Sequence, residues 1–149
     1  MKKLLLTSFA MTIALASYAP LVQASDPHSH AHQPSARVQG ATHHFEYLVQ
    51  KNALSELVIQ IPEQLKISRG IEIQDQTGKM LDAKVSIDGK QALITFDQPV
   101  PANTTISVKM KGILTPGYPR TWQYKLYGKF AGINQEIPLG LARIQTYGN

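Results

Sequence analysis

All five histidines of the 149-residue chain fall in one stretch, "SDPHSHAHQPSARVQGATHHFEYLV", which runs from Ser25 to Val49. His28, His30 and His32 alternate with small residues, and His43 and His44 follow as a pair. Imidazole is the commonest protein ligand for copper and zinc, and near neutral pH the uncharged, ligating form dominates because the ordinary pKa is ~6.5. The three alternating histidines are therefore the sharpest candidates for a metal site, with Cu2+ or Zn2+ as the ion. Geometry limits what they can be. On a rigid strand, residues two apart are separated by roughly 6.6 Å, whereas nitrogens bound at ~2.0–2.1 Å to one zinc lie within about 3.5 Å of each other. The segment must fold around an ion to hold it. His43 and His44 occupy successive positions of what reads as a strand, so they point to opposite faces and cannot chelate one ion together. His43 shares a face with Phe45 and Tyr47, as a rim histidine, and His44 shares the exposed face with Glu46.

A second constellation is aromatic and basic: "ILTPGYPRTWQYKLYGKF", residues 113–130. Trp122, Tyr124 and Leu126 alternate and read as core. Tyr118, Arg120 and Tyr127 read as a ligand-binding surface that would stack on a sugar or contact an anionic envelope polymer. Catalytic signatures are missing from the sequence: it has no G-x-S-x-G elbow, no H-E-x-x-H pair and no glycine-rich phosphate loop. "DQTG" and "SIDGK" fit turns better than calcium loops, which need alternating acidic ligands.

The segments that must position these residues follow from composition. Residues 1–24 form a basic start, Met1-Lys2-Lys3, an apolar run from Leu4 to Ala16, and "VQA" ending at Ala24, the pattern of an export signal. The apolar run falls short of the ~20 residues that span a bilayer, so no transmembrane segment is expected after cleavage. Residues 25–42 are rich in His, Ser, Pro, Gln and Gly with Val38 the single large aliphatic, too few apolar groups to offset ordering entropy, and read as a flexible leader. The chain has no cysteine, which removes disulfides, thiolate metal ligands and a thiol nucleophile together. Formal net charge is +5, and two of those positive charges are Lys2 and Lys3. The remainder is spread along the chain, which does not suggest nucleic-acid binding.

From His43 the hydrophobic period becomes two. Phe45, Tyr47 and Val49 alternate with Glu46 and Leu48; Leu57, Ile59 and Ile61 with Val58 and Gln60; and Ile71 and Ile73, like Ile106, Val108 and Met110, with polar residues. Val85 and Ile87 precede Asp88-Gly89, and Ala92, Ile94 and Phe96 follow it, a hairpin signature. "IPLGLARIQTY" closes the chain as a further strand. Without a stretch of helical period, residues 43–149 are expected to form an all-β domain: an antiparallel immunoglobulin-like β-sandwich of 7–8 strands.

Three blocks carry a resemblance: "HHFEYLVQKNALSELVIQIPEQLK", "GIEIQDQTGKMLDAKVSIDGKQALITFDQPVPANTTISVKMKGI" and "YKLYGKFAGINQEIPLGLARIQTY". Together they resemble domain-of-unknown-function family 2808, exported proteins found mainly in cyanobacteria. On this reading the resemblance starts at His43 and leaves the histidine leader outside it. It implies export and a single β-rich domain, and no activity.

The expectation is thus an exported, monomeric, non-enzymatic binding or structural module of the periplasm or cell envelope, facing an envelope component or polymer. The alternative is periplasmic copper or zinc binding through His28, His30 and His32. Periplasmic copper carriers are also small exported sandwiches, but after the signal this chain holds only Met80 and Met110, far apart, where Cu(I) would want a methionine cluster.

Overall fold

The computed structural model describes residues 40–146. The expected export signal and the histidines His28, His30 and His32 lie outside the described residues. Within them, each alternating block becomes a strand whose apolar set faces inward. The order is β1 (Ala41–Leu48), β2 (Leu54–Gln60), β3 (Lys66–Ile67), β4 (Ile71–Gln74), β5 (Ala83–Ile87), β6 (Gln91–Val100), β7 (Thr105–Leu114), β8 (Arg120–Phe130) and β9 (Ile137–Thr146). Eight of these nine coincide with the alternating blocks of the sequence. The ninth, β3, has two residues and is too short to show a period.

The strands form two antiparallel sheets. One has β1, then β7, with β3 and β4 both on the far side of β7; the other runs β5-β6-β2-β8-β9. Successive strands β1 and β2, β4 and β5, β6 and β7, and β7 and β8 sit in opposite sheets, so the chain crosses the core repeatedly. This is the connectivity of an immunoglobulin-like sandwich. Among the described residues no helix is long and apolar enough to cross a membrane.

The core fills the gap between the sheets. Leu57 and Ile59 of β2, Ile94 of β6, and Trp122 and Tyr124 of β8 meet Phe45 of β1 and Ile106, Val108 and Met110 of β7, all buried. Strands β2 and β7 lie at the centres of their sheets and, like β6 and β8, take partners on both sides, which suits their density of branched aliphatics.

Strand β7 carries one backbone irregularity that matters for the end of the molecule. Ala41 pairs with Ile113 but His43 pairs with Met110, so the ladder slips by a residue. Gly112 sits at this bulge with φ of 68°. Its carbonyl accepts both Ser68 N at 3.0 Å and Ser68 Oγ at 2.6 Å, fastening the β3–β4 connection over β7. A Cβ on Gly112 would collide with Ser68 Oγ and lie 2.9 Å from Arg69 N. Gly112→Ala is therefore expected to lower stability by about 1–3 kcal/mol from the left-handed backbone alone, with the clash adding to it. Urea unfolding followed by far-ultraviolet circular dichroism checks this, and an unchanged midpoint contradicts it.

Candidate functional site

The ends of β2, β5 and β7 and the start of β8 meet at one end of the sandwich. There the β2–β3 loop, the β5–β6 hairpin turn and the β7–β8 loop surround an open cleft of about 770 Å³. Its walls are Ile61, Pro62, Leu65, Ile67, Ile87, Leu114 and Pro116, while Glu63, Gln64, Lys66, Lys90 and Thr115 supply the polar atoms. Apolar walls with a few polar groups are the usual constitution of a ligand cleft. Two local devices hold it. Leu65 N donates to Pro62 O at 3.3 Å in the first loop. In the hairpin turn Asp88 Oδ1 accepts Gln91 N at 2.9 Å and Lys90 N at 3.0 Å. These amides, with Gln91 the larger effect, hold the Asp88 carboxyl below its ordinary pKa, so the turn that presents Lys90 keeps its anion at neutral pH.

Beside the cleft, Tyr118 and Arg120 converge on Gln64. Tyr118 Oη donates to Gln64 Oε1 at 2.8 Å, and Arg120 Nη1 reaches both Gln64 Oε1 and Tyr118 Oη at 3.4 Å. Gln64 adopts φ of 69°, a left-handed conformation that costs a non-glycine residue roughly 1–2 kcal/mol. The two hydrogen bonds offset that cost and fix the amide between cleft and cluster. The guanidinium of Arg120 also stands 4.9 Å from the centroid of the Trp122 ring, a cation–π contact over the one tryptophan of the chain. Tyr118 is 44% exposed.

Tyr127 does not join them. Trp122, Tyr124 and Leu126 face the core, and Arg120 begins that same alternating set, whereas Tyr127 lies on the outer face of the sheet between Val58 and Pro138. Seven residues of strand, about 24 Å, separate it from Arg120. The sequence reading combined two surfaces that the sheet keeps apart. It also missed Gln64, Lys66 and Lys90. The signals for these were the "IPEQLK" turn and the Asp88-Gly89 hairpin, each legible as a turn but not as neighbours.

The histidine pair divides between the faces as expected from strand parity, but His43 is not at the rim. It is 1% exposed, and its Nδ1 lies 2.6 Å from Tyr124 Oη, with the rings edge to face at 6.0 Å. This hydrogen bond spans the two sheets. Burial pushes the His43 pKa from 6.5 down to about 4 and raises that of Tyr124, so both stay neutral. His44 is exposed and its Nε2 meets Ser107 Oγ at 2.8 Å. Among the described residues no group of three or more His, Asp or Glu side chains is arranged to hold a metal ion. At the far end of the sandwich a smaller hollow of about 330 Å³ lies between apolar walls, Tyr47, Phe130, Ile133, Ile137 and Leu139, and the polar turn at residues 50–52.

Three solved structures are similar to this chain. The RrgA Jo.In complex gives a TM-score of 0.47 at 11% identity over 71% of this chain and 72% of that one. The collagen-binding domain from a Staphylococcus aureus adhesin gives 0.45 at 10% identity, covering 74% and 89%. The adhesive tip pilin GBS104 from Group B Streptococcus agalactiae gives 0.44 at 11% identity, covering 64% and 22%. At these scores and identities the likenesses carry nothing about ligand or partner. No curated protein matches the chain. A family model does match, over residues 27–145. The match starts ahead of His43 and so takes in the histidine leader that the sequence reading had left outside. On that match, which spans most of its length, the chain belongs to the family described as proteins of unknown function, DUF2808.

Proposed function

We propose that this protein is an exported, non-enzymatic binding module of the periplasm or cell envelope, and that it takes its ligand in the cleft between the β2–β3, β5–β6 and β7–β8 loops. Export is supported by the basic start, apolar run and small-residue site of residues 1–24. The observation that carries the binding assignment is the joining of an aliphatic cleft to a polar, cationic rim. Gln64 lines the cleft and is itself held by Tyr118 and Arg120, with Lys66 and Lys90 on the walls. Three cations around the opening, Lys66, Lys90 and Arg120, against the carboxylates of Glu63 and of Asp88 in the hairpin turn, favour a ligand with an apolar body and an anionic end. The walls cover the body, and the rim offers hydrogen-bond donors to the anion.

Decanoate is a minimal probe of this chemistry. Saturable binding by titration calorimetry is expected, weakened roughly tenfold or more when Lys66→Gln and Lys90→Gln are combined, because each charge-assisted hydrogen bond contributes about 1.5–3 kcal/mol before screening. Absence of saturable binding below the micellar range rejects the assignment.

A further inference from the structure

The outer face of the five-stranded sheet has a charge pattern that the other sheet lacks. On the outer face of the four-stranded sheet Lys109 Nζ donates to Gln74 Oε1 at 3.1 Å and Lys111 is ion-paired with Glu72, while Lys66, at the end of that sheet, lines the cleft. On the five-stranded sheet Lys129 is paired with Glu56 at 3.1 Å. Lys84, Lys125 and Arg143, all exposed, make no side-chain hydrogen bond or ion pair with any described residue. The other acids near that face, Asp97 on β6 and Asp82 just ahead of β5, adjoin each other at the β5 edge, away from β8 and β9.

The arrangement around the free cations is specific. Lys125 pairs with Leu141 and Gln123 with Arg143, so Lys125 and Arg143 are diagonal neighbours, about 7–8 Å apart at their backbones. Tyr127 follows two residues after Lys125, roughly 7 Å along the strand. A cross-strand row through Leu93, Val58, Tyr127 and Pro138 makes an apolar strip with one aromatic ring. The neighbouring rows carry amides: Gln91 and Gln60 opposite Lys125, and Gln123 beside Arg143.

The geometry points to this face as a second binding surface, separate from the cleft, that takes an acidic polysaccharide laid across β8 and β9. Lys125 and Arg143 meet the carboxylates of the chain. Tyr127 offers a ring against a sugar face, and the glutamine amides both donate to and accept from hydroxyls. A lipid surface would ask for a cluster of apolar groups projecting beyond the cations, whereas Val58 is buried and Tyr127 half-buried within the sheet surface, leaving Leu141, opposite Lys125, as the exposed large aliphatic beside them. A flat, hydroxyl-rich polymer matches that relief, and the unpaired positive charge supplies the complementarity.

Native gel electrophoresis of the purified protein in gels containing polygalacturonate, with dextran gels as the neutral reference, tests this. Expected is retardation at low salt in polygalacturonate and none in dextran. The combined Lys125→Gln and Arg143→Gln variant is expected to weaken it by about tenfold or more, with higher salt weakening it too. Mobility is compared with polymer-free gels so that altered net charge cancels, and thermal unfolding confirms that these exposed substitutions leave the fold intact. Lys66→Gln with Lys90→Gln, which disables the cleft, is expected to leave retardation unchanged. Equal retardation in dextran, retardation that survives loss of Lys125 and Arg143, loss of retardation on disabling the cleft, or binding to phosphatidylglycerol vesicles in preference to polygalacturonate each overturns the inference.

Discussion

Replacing Trp122 with alanine is expected to lower stability by about 3–5 kcal/mol, the usual cost of emptying a buried aromatic site. The ring is 1% exposed and fills the core below the loop end. Its indole N–H donates to Thr146 Oγ1 at 3.2 Å, and the Thr146 hydroxyl donates in turn to Arg120 O at 3.2 Å. That relay ties the end of β9 to the start of β8. For a domain whose whole stability is of order 5–15 kcal/mol, such a loss brings the protein close to unfolding. Trp122→Phe keeps most of the volume and leaves Thr146 its bond to the backbone, so a loss of only about 1 kcal/mol is expected. Urea unfolding monitored by circular dichroism separates the two; similar losses would mean that the relay, not the packing, dominates. Because Arg120 rests over the ring, the alanine variant should also loosen the Tyr118–Gln64–Arg120 cluster, which links core packing to the cleft.

Acid is expected to destabilise the sandwich through His43 before it reaches the carboxylates. The folded-state pKa lies at about 4, against an ordinary 6.5, because burial disfavours the charged ring. A histidine shifted downward contributes stability that is complete above pH 6.5 and is lost as the unfolded state gains its proton between 6.5 and 4. The loss over that window is on the order of 3 kcal/mol. Asp75 and Asp88 are held below their ordinary values by hydrogen bonds, first from the Thr77 side chain and the Gln91 amide respectively. Their contribution is present above the ordinary carboxylate pKa and falls away at lower pH, so the two effects separate along the pH axis. Tyr124→Phe alone leaves the His43 ring without its partner and should cost about 1–3 kcal/mol, whereas combining it with His43→Leu replaces both polar groups and should restore much of that. The double variant is also expected to lose the sloping limb between pH 6.5 and 4. A slope that persists in the double variant would assign the acid sensitivity to another group.

The strand alternation was readable because each half-buried strand declares its inner face. Phe45, Ile59, Ile73, Ile94, Val108 and Trp122 all lie where period two puts them. Parity also separated His43 from His44 correctly. Depth was not readable: whether the face holding His43 is rim or core depends on Tyr124, 81 residues away, and no local pattern encodes that pairing. Tyr127 is the opposite case. Seven residues is an odd spacing, so the sequence already placed Tyr127 and Arg120 on opposite faces; what grouped them was composition, which ignores the pleat. The cleft was illegible for a third reason. Its walls come from three loops brought together by sheet order, and strands β2, β5 and β7 reach one end only once the pairing is known. The glycine at the bulge follows the same rule, since the close neighbours that leave no room for a Cβ at Gly112 are Ser68 and Arg69 on another connection.

The most direct test of the cleft uses the tryptophan already in place. Arg120 lies over Trp122 and also bonds Gln64 at the cleft wall, so an anion that engages this rim must alter the cation–π contact and with it the indole emission. Titrating the protein with decanoate should give a saturable change in Trp122 fluorescence, shifted to roughly tenfold higher concentration or more when Lys66→Gln and Lys90→Gln are combined. An emission that stays flat to the micellar range, or a saturable change indifferent to both lysines, would contradict a ligand site at this end of the sandwich.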